Sequence, residues 1–282
     1  MEKKVNRNLS IDIGATKIRV IIYDDKFTIK EAYLFKTEDF FKGKIVNLEN
    51  FIFYLSKKLK ENIFSKIGIS INCYIVNNKI LYSSLLGGRV KLDLKQIVKK
   101  YFSFSYFFAE NDVVCAAKAE ISFGWGRQYK NFSYINIGSG VRVVNVYHHH
   151  LFLGSNNLAG EISGLKIYHP QFKLILFEQL LGGKYLSSIY RNYLKNINHP
   201  KDYFKNIDFV KSYFKNFAFF IVLVNHFYDP QAIVLGGSVT QSIRKNFKFL
   251  KDAMNNLDNN LFKRTIKFSK IKFPESIGAL LK

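Results

Sequence analysis

The stretch Ser10-Ile11-Asp12-Ile13-Gly14-Ala15-Thr16-Lys17-Ile18-Arg19-Val20 puts an acid inside an apolar strand and then turns the chain on small residues. Ile11 and Ile13 flank Asp12, and Ile18, Val20 and Ile22 alternate again after the turn, so it reads strand, tight turn, strand. A buried Asp at the end of such a strand is costly unless positive charge meets it. Gly14 gives the turn a conformation that other residues resist and lets the backbone approach a ligand. Turn amides, the Thr16 hydroxyl and the Lys17 ammonium could hold phosphate oxygens, with Asp12 on a magnesium ion or its waters. A β-hairpin whose Asp accepts turn hydrogen bonds explains the same residues, and the stretch alone leaves the two readings even.

At 282 residues, with 48% hydrophobic and 16% aromatic side chains, the chain can bury one large domain or two smaller ones. No run reaches the roughly 18 apolar residues of a membrane span, and the longest apolar patch is Phe217 to Val224. Met1-Glu2-Lys3-Lys4 is expected to lead directly into a strand, so neither a signal peptide nor a helix-turn-helix module is expected there. Cys73 and Cys115 have neither metal spacing nor a disulfide framework, which fits a reducing cytoplasm. The formal charge of +22 suggests attraction to nucleic acid, acidic lipid or an anionic ligand. The lysines are scattered, however, and Lys, Asn, Ile, Phe and Tyr are abundant throughout, which is the mark of compositional bias rather than of a nucleic-acid footprint.

Residues 8–36 read as a three-stranded meander and 46–62 as an amphipathic helix. A buried strand follows at 67–71, a hairpin turning on Asn77-Asn78, a loop at Gly87-Gly88, a short helix over 92–101 and a strand at 103–108. The spacing predicts a long helix from Asn111 to Phe123, closed by Gly124 and Gly126. Strands are expected at 132–137 and 141–147, with His148-His149-His150 as a solvated tip, then a looser segment over 154–170. Helices are expected at 174–180, 184–196, 208–228 and near 239–257, a strand at 232–235, another at 265–269 and a last helix at 275–281. Helix 208–228 is more apolar than one amphipathic face needs, so it is either fully buried or part of a dimer interface. Strands precede helices in each half, which argues for two α/β lobes with a cleft between them.

Four further motifs follow the opening one. Glu110-Asn111-Asp112 ends a strand and opens a helix, where Asn and Asp are ordinary caps but a carboxylate could also take a proton from a hydroxyl. Gly138-Ser139-Gly140 is either a plain hairpin turn or a phosphate wrap. Ala159-Gly160-Glu161-Ile162 offers a carboxylate to a polyol or is a surface loop, and Val234-Leu235-Gly236-Gly237-Ser238 is a glycine-ended strand before a helix.

Taken in order, with Glu120 on the helix after Asn111-Asp112, these motifs resemble the ROK family of sugar kinases and repressors over about residues 8–281. The resemblance implies an actin-like, ribonuclease-H-like α/β fold of two lobes, 1–110 with 271–282 and 111–270. It implies ATP and Mg²⁺ as cofactors and phosphorylation of a hexose or N-acetylhexosamine hydroxyl in the cleft. By position, Asp12, Gly14, Thr16 and Lys17 would lie at the phosphates, with Asp12 meeting magnesium through water. Gly138, Ser139 and Gly140 match the second phosphate loop, and Gly236 and Gly237 the adenosine-side glycines. Asp112 matches the catalytic base, and Asn111 and Glu161 the sugar ligands. Related kinases are often dimers, so a homodimer is a possible assembly.

The departures concentrate on the sugar side. The family's Gly-Glu-Ile-Gly-His reads Gly160-Glu161-Ile162-Ser163-Gly164 here, and its cysteine-rich zinc loop reads Pro170 to Glu178 without a cysteine, so no zinc site is expected. His169 reads as a loop or core residue. The family's Pro-Gly turn falls at Asn72-Cys73, the loop that gives an Asn to the sugar reads Ser83 to Gly88, and Arg142 stands where another glycine is usual. Two other functions therefore stay in view: a sugar- or nucleotide-binding protein without catalysis, and a basic nucleic-acid-associated protein.

Overall fold

The opening stretch is an antiparallel pair in the computed structural model, which describes residues 7–41, 46–197, 200–257 and 265–282. Strand β1 (Arg7–Ile13) pairs with β2 (Lys17–Asp24), and β2 with β3 (Ile29–Lys36), as the alternation predicts. Helix α1 (Val46–Lys58) leads to β4 (Ile63–Ile71). A side sheet of β5 (Tyr74–Val76), β6 (Lys79–Ser83) and β7 (Gly88–Asp93) precedes α2 (Leu94–Lys99), β8 (Ser103–Asn111) and α3 (Asp112–Phe123). The main sheet has the order β3-β2-β1-β4-β8, with β1, β4 and β8 parallel. Leu9, Ile11 and Ile13 face a core shared with Ile67, Ile69, Phe51, Leu55 and Ile97, which leaves Ser10 and Asp12 on the opposite face.

The Asn77-Asn78 turn has left-handed backbone at both residues, φ 50° and 63°, the geometry that suits a two-residue hairpin and that Asn tolerates. The loop expected at Gly87-Gly88 is shorter than anticipated, because Gly88 already begins β7. The Arg89–Asp93 alternation, with Val90 inward, was masked by the polar residues around it.

A second sheet repeats the pattern of the first. Strands β9 (Phe132–Ile137), β10 (Val141–Tyr147) and β11 (His150–Phe152) are antiparallel; one later strand pairs with β9 in parallel, and a second pairs in parallel with that strand. Between them come the hairpin β12 (Lys166–His169) and β13 (Lys173–Leu176), short helices α4 (Leu186–Ile189) and α5 (Arg191–Leu194), and the long α6 (Ile207–Tyr228). Then follow β14 (Ala232–Gly236), α7 (Thr240–Lys245), α8 (Phe247–Asn255) and β15 (Thr265–Phe268), for the order β11-β10-β9-β14-β15. Helix α6 buries Phe209, Tyr213, Phe214, Phe217 and Ile221 in this unit's core, which accounts for its apolar excess and leaves Phe219 and Phe227 exposed.

The helix expected at 174–180 is instead strand β13 followed by a 3₁₀ turn, Phe177–Leu180. Leu174 points out at 66% exposure and Ile175 points in at 7%, so alternation wins over the helical spacing that the same residues also satisfy. The segment expected to be loose contributes β12 as its partner.

The last helix, α9 (Pro274–Gly278), packs against α3. By contact, the chain forms two units: Met1–Phe123, Gly154–Leu158 and Ile271–Lys282 in the first, Gly124–Leu153 and Ala159–Lys270 in the second. Helix α3 thus belongs with the first unit. A Cβ on Gly278 would strike the Cys115 carbonyl of α3, and one on Gly68 of β4 would strike the Ala279 carbonyl. Backbone, not a flexible side chain, stands in the way, so Gly278→Ala is expected to lower stability by roughly 1–3 kcal/mol. The measurement is the urea midpoint at constant slope, and an unchanged midpoint would contradict the packing argument.

Candidate active site

In the first unit, strand register lines up Arg19, Asp12, Ser70 and Glu110 across β2, β1, β4 and β8. Asp12 is buried, and Arg19 Nη1 meets its Oδ2 at 2.9 Å while Ser70 Oγ donates to its Oδ1 at 3.0 Å. The Arg19 guanidinium also lies 4.5 Å from the Phe273 ring centre. The positive charge required by a buried strand Asp is therefore its own cross-strand neighbour. Burial, and then the Glu275 and Asp112 carboxylates, push Asp12 up to about 8, against the pull of Arg19 and Ser70. Burial also raises Glu275, with Asp112 adding to it.

The turn after β1 is tied down by a residue that sequence reasoning missed. Thr37 donates its hydroxyl to the Gly14 carbonyl at 2.8 Å and its amide to the Thr16 carbonyl at 3.1 Å. The Gly14 amide reaches the Lys17 carbonyl at 3.0 Å. Gly14 is not left-handed, so the conformational reason expected for it does not hold; a Cβ there would sit 3.2 Å from the Lys17 carbonyl oxygen, and space is the constraint. Ala15, Thr16 and Lys17 are exposed.

Asn111 ends β8 and caps α3: its Oδ1 accepts from the Val113 amide at 3.0 Å, and its Nδ2 donates to the Cys73 carbonyl at 3.2 Å. Asp112 occupies the first turn of α3, half-buried, with Oδ1 accepting from the Val113 amide at 3.0 Å. A carboxylate is favoured there by the helix dipole.

In the second unit the turn Gly138-Ser139-Gly140 follows β9, and the glycine pair Gly182-Gly183 packs against it. The Gly183 amide donates to the Gly138 carbonyl at 2.8 Å and the Lys184 amide to the Ser139 carbonyl at 3.2 Å. A Cβ on Gly182 would lie 2.7 Å from the Ser139 carbonyl, and one on Gly140 would lie 2.6 Å from Glu178 Oε2. Sequence reasoning passed over Gly182, Gly183 and Glu178; the glycine doublet before a helix was the available signal. Burial raises Glu178, while Tyr185, donating at 3.0 Å, and Lys184 pull it down and Glu161 pushes it up.

Glu161 lies beside β10, where it forms an antiparallel bridge with Arg142. Its Oε1 accepts from the Ser163 amide at 3.1 Å, and its Oε2 lies 3.7 Å from Arg142 Nε. Gly236 ends β14 against the Tyr134 phenol, and Gly237 is left-handed at φ 93°, packed on the backbone of Ile137. His148 and His149 are exposed at the tip between β10 and β11. His169 hydrogen-bonds Asn216 at 3.1 Å and stacks on Phe172 with ring centres 4.7 Å apart.

In each unit the motif residues gather at the carboxyl ends of parallel strands, Asp12 and Asn111 on β1 and β8, Gly138 just past β9 and Gly236 on β14. Open α/β sheets bind ligands at that edge. Two α/β units, each with a sheet of three antiparallel strands followed by two parallel ones, define the actin-like ATPase fold. The ROK family profile matches residues 8–273, and the chain belongs to the ROK family.

A ROK family glucokinase from Streptomyces griseus, solved with glucose and AMPPNP, superposes with a TM-score of 0.79 at 16% identity, covering 97% of this chain and 98% of that one. A ROK family protein from Streptococcus pneumoniae in complex with sucrose gives 0.80 at 18%, covering 97% and 96%. By sequence, an uncharacterized protein from Clostridium perfringens is 25% identical over 81% of this chain and 80% of its own. The xylose repressor of Bacillus spizizenii is 24% identical over 58% of this chain, and the match spans 44% of the repressor's length.

Among the described residues no helix is long and apolar enough to cross a membrane, and no group of three or more His, Cys, Asp or Glu side chains is placed to hold a metal ion. A magnesium ion held by nucleotide phosphates, waters and one carboxylate needs no such group. Asp12 is a buried carboxylate near Glu275 and Asp112, with Arg19 on one oxygen and Ser70 on the other.

Proposed function

We propose that this chain is an ATP-dependent sugar kinase that phosphorylates a hydroxyl of a hexose or N-acetylhexosamine. One observation carries the reading: Asp112 stands at the first turn of α3, close enough to the buried Asp12 to raise its proton affinity, at the carboxyl edge of the first sheet. In this reading Asp112 accepts the proton of the sugar hydroxyl as the oxygen attacks the terminal phosphorus of ATP. The turn Gly14, Thr16 and Lys17 meets phosphate oxygens, with the exposed Lys17 supplying charge. Magnesium, when bound through Asp12, would neutralise charge on the phosphates.

Gly138, Ser139 and Gly140 serve phosphate in the second unit, Gly236 and Gly237 serve the adenosine, and Glu161 holds a sugar hydroxyl. Asn111 acts on the sugar through what its amide can offer beyond the cap and the Cys73 carbonyl. A cytoplasmic setting suits the reading, with ATP at hand and the buried Cys73 and Cys115 outside any disulfide. The exposed Phe219 and Phe227 on α6 are the candidates for a homodimer contact.

The test is ATP consumption against a panel of hexoses and N-acetylhexosamines. Turnover on at least one sugar is expected; none on any of them, with saturable sugar binding by calorimetry, would favour the binding-only alternative. The observation that favours that alternative is Asn111, whose amide already caps α3 and holds Cys73.

A further inference from the structure

Arg142 follows the Gly138-Ser139-Gly140 turn by two residues and is buried, its side chain only 8% exposed. A guanidinium is expensive to take out of water unless a carboxylate meets it. Here the carboxylate is Glu161, with Nε to Oε2 at 3.7 Å and the Glu161 side chain still 31% exposed. The pairing is fixed by the backbone beneath it. Arg142 and Glu161 bridge as neighbouring strands, and the Val143 amide donates to the Gly160 carbonyl at 3.1 Å. Gly160 is left-handed at φ 78°, and a Cβ on it would strike the Val143 carbonyl, so the segment before Glu161 lies directly on β10. The Ser163 amide engages the other carboxylate oxygen at 3.1 Å. One oxygen is thus held by an amide and the other faces a buried cation, which sets the plane of the carboxylate.

We infer that Arg142 is a positioning residue that holds Glu161 in the orientation in which it accepts a hydrogen bond from a sugar hydroxyl. The inference rests on the sugar-kinase reading of Glu161. Arg142 is too deeply buried to be the main contact for the sugar itself, whereas Glu161 is partly open. A group that only orients another should change affinity for the ligand of that other group and little else. Misplacement of an orienting contact by about 1 Å can cost up to about a hundredfold.

The experiment measures binding of glucose and N-acetylglucosamine, and separately of a non-hydrolysable ATP analogue, by calorimetry. The proteins are the wild type, Arg142→Met, Arg142→Lys, Glu161→Gln and the Met–Gln double variant. Arg142→Met is expected to weaken the sugar that binds the wild type by roughly tenfold while leaving the ATP analogue within about twofold. Arg142→Lys should recover most of the loss, because a cation remains beside Glu161. The double variant should bind sugar no worse than Glu161→Gln alone, since partners in one contact are not additive.

If Glu161→Gln weakens the sugar and Arg142→Met does not, the positioning role is overturned and the kinase reading stands. If Arg142→Met weakens sugar and nucleotide alike with a lowered melting temperature, Arg142 is structural and the inference falls. If the wild type binds the ATP analogue but neither sugar, or Glu161→Gln binds sugar as the wild type does, the reading of Glu161 fails and takes the inference with it. Should Arg142→Met not fold, Arg142→Gln carries the same comparison.

Discussion

Asp112→Asn is expected to lower kcat/KM for the sugar by about 10²–10⁴-fold, the usual worth of a general base in proton transfer. The substitution keeps shape and keeps the acceptor that Asp112 Oδ1 presents to the Val113 amide at 3.0 Å, so the start of α3 is preserved. It removes the group that can take the hydroxyl proton. Binding of ATP and of sugar should therefore persist, and the loss should appear in kcat rather than in KM. Steady-state kinetics with calorimetry on the same variant separates the two. Full activity in Asp112→Asn would remove Asp112 from the chemistry, and loss of both binding and fold would make it a structural residue. Removing one carboxylate from the neighbourhood of Asp12 should also ease the ionisation of Asp12, because Asp112 is one of the charges that hold it up.

Metal-free protein is expected to lose stability as pH rises from about 4 to about 8, with Asp12 as the main source of the slope. The sign follows from its proton affinity. Folding raises the Asp12 pKa to about 8 from the ordinary carboxylate value, so across this window the folded protein keeps a proton that the unfolded chain has lost. Stability therefore has a negative slope with pH there and levels off above the folded pKa. Glu275, raised by the same burial, acts in the same direction. Urea midpoints at pH 6 and pH 8.5, with chelator present, read the effect. Asp12→Asn should flatten the difference, because an amide has no proton to lose. Parallel profiles for wild type and variant would contradict the assignment. Occupancy of the site by a divalent cation should replace the proton, so magnesium with nucleotide is expected to stabilise most at the higher pH.

The parts of this molecule that sequence reveals are those governed by neighbours along the chain. Ile11 to Val20 alternates around a small-residue turn and forms β1 and β2; Asn77-Asn78 offers the only chemistry that a two-residue hairpin there needs; Ala232 to Leu235 runs apolar into two glycines and forms β14. Over 174–180 the apolar residues Leu174, Ile175, Phe177 and Leu180 suit a helix as well as a strand, and the choice is made by β12, a tertiary partner. The Arg19–Asp12 pair was within reach, since a turn over Gly14 to Thr16 sets the register that opposes them. Thr37, Glu275 and Glu178 were not, because each arrives at its position from a distant part of the chain. The roles of Asn111 and Arg142 also depend on such meetings: one amide is largely spent on capping α3, and one guanidinium is buried against Glu161.

Helix α9 has a consequence for how the protein is made. It closes the first unit by lying on α3, and Ser10 Oγ donates to the Ser276 carbonyl at 2.8 Å, yet the whole of the second unit lies between α3 and α9 in sequence. A chain emerging from the ribosome completes β1 to α3 long before their covering helix exists. The backbone of Cys115 and the strand at Gly68, shaped for close approach by α9, must wait uncovered while the second unit is synthesised. The second unit can therefore finish folding first, and the first unit is left as the late, aggregation-exposed step of biogenesis.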